Sequence, residues 1–323
     1  MNIIDKILIR KEFVDNPPVL LDIGASGSIH PKWKDIARYS ICIAFDADDR
    51  EIGYTVKESS GFKKLYIYNK IVTDKIIGKS EFYLTKSPYC SSLLQPNHES
   101  LNNWAFAELF EIEKKVILKA VALPMVLKEI GIHKIDWFKT DSQGIDLRLF
   151  DCLGDECINR VLVAEFEPGI INAYEGEDKL WRLMAYMDKH PFWMADINIL
   201  GTQRICRETI NAKLTALDKK MIHILLKTSP CWGEVVYFNM FPAYVMYLDK
   251  RDFLLGWIFA VIERQYGFAL EIAIGGYKRF DDPIFIQMEE FVYRKIKQRY
   301  LKLPLYIGRK IVHKIFRLLG ING

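Results

Sequence analysis

The sequence predicts an α/β fold, a doubly wound and mainly parallel sheet with helices on both faces, followed by a helical C-terminal extension. Three observations carry that reading. Apolar runs of strand length alternate with helical patterns over roughly 240 residues. Small and acidic residues stand directly after several of those runs. From Ala243 onward, strand patterns give way to helical ones. Half of the 323 residues are hydrophobic and 27% are charged, a globular balance with enough apolar surface for a large core.

Taken in order, "PPVLLDIG" reads as a buried strand after a proline-marked start. "KWKDIARY" reads as a short helix, "YSICIAFDADD" (Tyr39 to Asp49) as a second buried strand and "FKKLYIYNKIV" as a third. "GKSEFYLT" is a strand or hairpin arm, with "KKVILKAVAL" placed to pair beside it. "LPMVLKEIGI" is a helix with Pro124 in its first turn and Gly131 near its end. Then come a strand that runs into a turn, "KIDWFKTDSQG", a helix closed by Gly154, "IDLRLFDCLG", and a further strand, "NRVLVAEFEP". "DKLWRLMAYMDKH" is amphipathic, with Leu180, Leu183, Met184 and Met187 on one side. "PFWMADINIL" and "GEVVYFNMF" are the last strands. The division expected is a sheet domain over residues 1–242 and a basic helical extension over residues 243–323.

Composition excludes several classes. The six cysteines form no CxxC pair, and several sit in apolar runs, as reduced core thiols in a cytosolic protein do. Without closely spaced Cys and His ligands a structural zinc site is not expected. The N-terminal stretch has no long apolar core and no small-residue cleavage site, so no secretory leader is expected. No apolar run reaches the roughly 20 residues that span a bilayer. The nearest, "FLLGWIFAVI", is bounded by Arg251 and Asp252 and by Glu263 and Arg264, and fits a buried helix. The expectation is a cytoplasmic protein.

In open α/β sheets, ligands bind at the carboxyl ends of the strands, where strand order reverses. After the first strand stand Asp22, Gly24, Ala25, Ser26 and Gly27. Small side chains there let backbone N–H groups approach a ligand. The spacing is DxGxxG and not the dinucleotide GxGxxG, a form often met where S-adenosylmethionine is bound. Asp22 would face the ammonium of that cofactor. The bland alternative is an ordinary strand–helix turn. Asp46 follows the second strand, 24 positions after Asp22, where a carboxylate accepts ribose hydroxyls; otherwise "DADD" is an acidic loop. Ala47 and Ile71 complete the candidate cofactor set. Asp141 and Gln143 end a later strand, and an acid there faces a cleft, because burying it unpaired is costly. It is the candidate catalytic base or orienter and also a cofactor-site candidate. Glu165 and Glu167 end the next strand. With Asp141 they form a set that could hold a divalent cation, although such acids more often pair with Lys or Arg, and metal is not favoured. His98 is a second catalytic candidate, against a surface-loop role in "QPNHES". His30 follows the first loop, with a capping or surface role as its alternative.

Several separated pieces resemble the FkbM family of S-adenosylmethionine-dependent methyltransferases. "LLDIGASGS" looks like that family's DxGAN-type loop, "IAFDADD" like its "aFEP" strand end, and "IVTDKIIGKSEFYL" with "SSL" like a further segment. "IDWFKTDSQGIDLRLF" resembles "idflKiDvqGaElevL" and is the most specific match, with "VLVAEFEP" in the place of the next strand. The similarity runs from about Val19 to about Phe241. It departs at Ser26 and Ser28, where the family has Asn and Gly, at Asp46, where it has Glu, and at "ALP" (Ala122 to Pro124), where it has "TLD". The resemblance implies a Rossmann-like, seven-stranded sheet of the class I methyltransferase type with its last strand antiparallel. It also implies O-methylation of a hydroxyl on a sugar, glycan or related natural product.

The resemblance covers little of the extension. From Phe291 to Gly323 there are nine Lys or Arg and no Asp or Glu, leaving 36 basic against 41 acidic residues before it. "YIGRKIVHKIFRLLG" places Arg309, Lys310, Lys314 and Arg317 around Ile311 and Ile315. Such a helix suits an anionic membrane surface, at the inner membrane face, or packing and self-association; nucleic acid is the least favoured partner. The alternative to an enzyme is therefore a non-catalytic, membrane-associated protein that keeps the fold. A nucleotide-dependent oxidoreductase is weaker still, for want of GxGxxG.

Overall fold

A computed structural model of the chain describes residues 2–24, 29–47, 61–75, 78–241, 247–300, 303 and 308. It divides into two compact units, Phe13–Tyr247, and Met1–Glu12 with Leu248–Gly323. The sequence division at residue 242 left the N-terminal residues with the sheet; here they go with the C-terminal helices.

The first unit is built on a seven-stranded sheet in the order β3-β2-β1-β7-β8-β10-β9. Its strands are β1 (Val19–Ile23), β2 (Ile41–Phe45), β3 (Lys64–Tyr68), β7 (Trp137–Thr140), β8 (Val163–Phe166), β9 (Phe192–Thr202) and β10 (Ser229–Asn239). Pairings are parallel from β3 through β8, and β10, the last strand, runs antiparallel to both β8 and β9. The mixed α/β, Rossmann-like doubly wound fold and the helical C-terminal extension are thus both present. A second sheet, β4-β6-β5, combines β4 (Ile71–Thr73), β5 (Gly78–Thr85) and β6 (Ile112–Ala122). The stretch "FKKLYIYNKIV", expected as one strand, therefore splits at Asn69 and Lys70 between two sheets. "KWKDIARY" forms two 3₁₀ segments, Pro31–Asp35 and Ala37–Tyr39, in place of one helix.

Alternation along the strands separates two faces. Leu21, Ile23, Ile43, Phe45, Phe138, Ala164 and Phe166 turn to one core. It is closed by Val126 and Leu127 of helix Leu123–Glu129, Leu149 and Phe150 of helix Asp146–Asp151, and Leu183 and Met187 of helix Leu180–Met187. On the other face Trp33 meets Trp137 edge-on at 5.9 Å. That face also carries a charged row, because the register sets Asp22 beside Lys139 and Lys139 beside Glu165.

In the second unit, helix Lys250–Ile262 is buried along Arg251 to Ala260, with apolar residues on all sides, as a core helix requires. Helices Tyr266–Phe280 and Ile284–Tyr300 follow. An ionic cluster ties in the N-terminal segment: Arg10 reaches Asp282 at 2.5 Å, and Lys250 reaches Glu12 at 3.0 Å and also contacts Asp282. Among the described residues no helix is long and apolar enough to cross a membrane. The basic residues Arg309, Lys310, Lys314 and Arg317 lie outside the described residues.

Candidate active site

Strand order reverses between β1 and β7, so the carboxyl ends of these neighbours open the crevice in which such sheets bind ligands. Gly24 directly follows β1 with φ of +77°, a conformation that L side chains rarely adopt. A Cβ at this position would stand 2.0 Å from the Asp141 carbonyl oxygen. Only glycine lets the two strand ends close on each other, with the Asp141 N–H donating to Ile23 O at 2.9 Å.

A pocket lies above this junction. Gly24, Asp46, Ala47, Ile71 and Asp141 line it together, with Phe82 among its apolar walls. Five of the residues named from the sequence are therefore neighbours across three loops and the second sheet. Ala25, Ser26 and Gly27, also named, lie outside the described residues. A second, roomier pocket adjoins the first, about 430 Å³ against about 70 Å³. Asp141, Gln143 and Tyr89 line both. Because β10 is antiparallel, its beginning at Cys231, Trp232 and Glu234 reaches the carboxyl end of β8 and closes the far side of this second pocket.

Asp141 stands at the shared wall. Burial is the largest influence and pushes its carboxyl up; Lys139 opposes this, Asp146 and Asp22 add to it, and the Gln143 amide donates to it at 2.5 Å. Glu167 is pushed up as well, by burial and then by the charge of Asp141. Two acids that disfavour each other's ionisation share one site, an arrangement in which one of them retains a proton near neutrality. Gln143 is held with φ of +55°; its Oε1 lies 2.9 Å from the Tyr174 hydroxyl, and its backbone carbonyl accepts from Ser92 Oγ at 2.7 Å. Asp146 is a scaffold: it accepts from Thr140 Oγ1, from the Ser142 N–H and hydroxyl and from the Glu167 N–H, fixing the turn between β7 and its helix against β8.

Four residues named from the sequence stand elsewhere. Asp22 is fully buried and lines neither pocket; its Oδ1 accepts from Lys139 Nζ at 2.9 Å and its Oδ2 from the His30 N–H at 2.9 Å. It anchors the far end of the loop and does not face the crevice. Its carboxylate and that of Asp141 hold the Lys139 ammonium up against the opposing effect of burial. His98 is exposed at the start of helix His98–Leu101 and lines neither pocket. His30 packs edge-on against Trp33 at 5.3 Å and Trp137 at 6.3 Å, with Nε2 3.3 Å from Glu165. Glu165 also accepts from Trp137 Nε1 at 2.6 Å and lies 3.4 Å from Lys32; against its burial, His30 and Lys32 hold its carboxyl low. It is paired, the alternative weighed against cation binding for the three strand-end acids. Among the described residues no group of three or more His, Cys, Asp or Glu is arranged to hold a metal ion.

Sequence reasoning missed Lys139, Tyr174, Glu234 and the aromatic wall of Phe106, Phe110 and Trp232. The signal for Lys139 was available, since a lysine inside "WFKT" demands a carboxylate in the same cross-strand row. The wall residues come from loops and from β10, and only tertiary structure collects them.

No family model matches the chain. No curated protein matches it. Among solved structures, the chain is similar to an uncharacterized protein from Listeria monocytogenes serotype 4b, 11% identical over 92% of this chain and 96% of that one, at a TM-score of 0.32.

Proposed function

We propose that this chain is an S-adenosylmethionine-dependent O-methyltransferase that acts on a hydroxyl of a sugar, glycan or related natural product, in the manner of the FkbM family it resembles. The single observation that carries the proposal is the convergence of Gly24, Asp46, Ala47, Ile71 and Asp141 on one pocket at the order-reversal crevice. The residues suit the group. Asp46, 6% exposed, supplies a carboxylate for ribose hydroxyls, while Ile71 and Phe82 offer an apolar slot for a flat base.

When bound, S-adenosylmethionine supplies a methyl group on a sulfonium, which leaves as a neutral thioether. The chain has to position an acceptor hydroxyl and take its proton as the oxygen–methyl bond forms. Asp141 lines both pockets, so it borders cofactor and acceptor alike. Its raised proton affinity suits it to that transfer, and Gln143, braced by Tyr174, fixes the carboxylate's direction. Asp22 and Lys139 act at one remove, holding the strand ends that carry Gly24 and Asp141.

Equilibrium dialysis against labelled S-adenosylmethionine tests the assignment. Retention at micromolar concentration, displaced by S-adenosylhomocysteine, is the expected result. No retention by folded wild type excludes methyl transfer.

A further inference from the structure

Taken as the acceptor chamber of the proposed reaction, the wider pocket restricts what enters it. One wall is aromatic and continuous: Phe106 lies 5.3 Å from Phe110 between ring centroids, Phe106 meets Trp232 edge-on at 6.2 Å, and Phe110 meets Tyr174 edge-on at 5.6 Å. The charged lining is acidic, with Asp141, Glu167, Glu177 and Glu234, and no Lys, Arg or His lines the pocket among the described residues.

The four carboxyl groups are not equivalent. Glu177 accepts from Lys179 Nζ at 2.6 Å and from the Ala173 and Tyr174 N–H groups, so it is neutralised and fixed. Asp141 is steadied by Gln143 and by the nearby Lys139. The Glu167 side chain has no hydrogen bond or ion pair among the described residues, and Glu234 accepts only from the Asn198 amide, at 3.0 Å. Burial and the charges of Asp141 and Glu234 push the Glu167 carboxyl up, with only Lys139 opposing them. The pocket is therefore short of positive charge. An anionic guest would meet the Glu234 carboxylate, and a neutral one would leave Glu167 holding its proton; only a cation favours the ionised form of Glu167. An ammonium group answers both acids and is attracted to the faces of the rings.

We propose that the acceptor is an amine-bearing polyol, its ammonium lodged by Glu167 and Glu234 against the wall of Trp232 and Phe106.

The test titrates the full chain, with and without S-adenosylhomocysteine, against three sugars at neutral pH: 2-amino-2-deoxyglucose, its N-acetyl derivative and glucuronate. The amine is expected to bind at least about tenfold tighter than the N-acetyl sugar, with glucuronate weakest, a gap of about 1.4 kcal/mol. Glu167→Gln should cut that lead at least threefold, and Glu234→Gln, on the exposed rim, provides the same readout should the first variant fail to fold. An amine that binds no tighter than its N-acetyl form, glucuronate that binds best, or no binding of any of the three overturns the proposal. Failure of S-adenosylhomocysteine itself to bind counts separately, against methyl transfer, because the sugars are also titrated without it.

Discussion

Lys139→Met is the sharpest perturbation of the charged row beneath the crevice. Lys139 Nζ lies 2.9 Å from Asp22 Oδ1, and the Asp22 side chain is fully buried. Removing the lysine leaves a buried carboxylate with one remaining hydrogen-bond partner among the described residues, the His30 N–H. Breaking a buried pair from one side costs about 3–5 kcal/mol, far above the range of about 0–1 kcal/mol for exposed pairs. For a unit of this size each kcal/mol moves the melting temperature by about 2–4 °C, so the transition of the sheet unit should fall by roughly 6–20 °C in scanning calorimetry. Asp22→Asn/Lys139→Met removes both charges and should recover at least about 1 kcal/mol relative to Lys139→Met alone. A single-variant loss below about 1 kcal/mol, or a double variant worse than the sum of its parts, would show that the row is screened by solvent and does not organise the strand ends.

Three further outcomes are expected. The raised proton affinities of Asp141 and Glu167 mean that the native state keeps protons that the unfolded chain has released; their contribution to stability is complete below the ordinary carboxylate range near 4 and is lost as pH rises through the raised values. Glu167→Gln cannot ionise, so denaturant melts at pH 5 and pH 8 should show a shallower decline than wild type and a more stable protein at pH 8; an unchanged slope contradicts this. Gly24→Ala combines a left-handed backbone, worth about 1–3 kcal/mol, with a Cβ placed 2.0 Å from the Asp141 carbonyl oxygen, and should fold poorly or melt well below wild type; an unaltered melting temperature would deny the close approach of β1 and β7. Tyr174→Phe removes the hydroxyl 2.9 Å from Gln143 Oε1 and should cost about 0.5–1.5 kcal/mol of stability while leaving S-adenosylhomocysteine affinity within about twofold; a large loss of that affinity would place Tyr174 in the cofactor pocket.

The strands of the main sheet were legible because the chain signals them twice, by apolar runs of strand length and by the small or acidic residues that end them. Asp46 and Asp141 were readable for the same reason, since each follows a buried run. Asp22 was misjudged because it belongs to β1 itself, and pleating turns it towards Lys139 and not into the crevice. The break at Asn69 and Lys70 was invisible because apolar character continues from β3 into β4 while the strand changes sheets. Helices Arg207–Lys213 and Ala216–Leu225 bury no side chain and so lack a core-facing stripe, although the capping box of Thr215 and Asp218 marks the second one in the sequence. The aromatic wall of the wider pocket could not be read at all, because Phe106, Tyr174 and Trp232 are brought together from distant segments.

Calorimetric titration of wild type and Asp46→Ala with S-adenosylhomocysteine, with NADH as the control ligand, tests the central claim most directly. The account predicts micromolar binding by wild type, a loss of about tenfold to a hundredfold in Asp46→Ala as charge-assisted hydrogen bonds worth about 1.5–3 kcal/mol disappear, and no competition from NADH. Wild type that leaves S-adenosylhomocysteine unbound, or that binds it equally well without the Asp46 carboxylate, would contradict it.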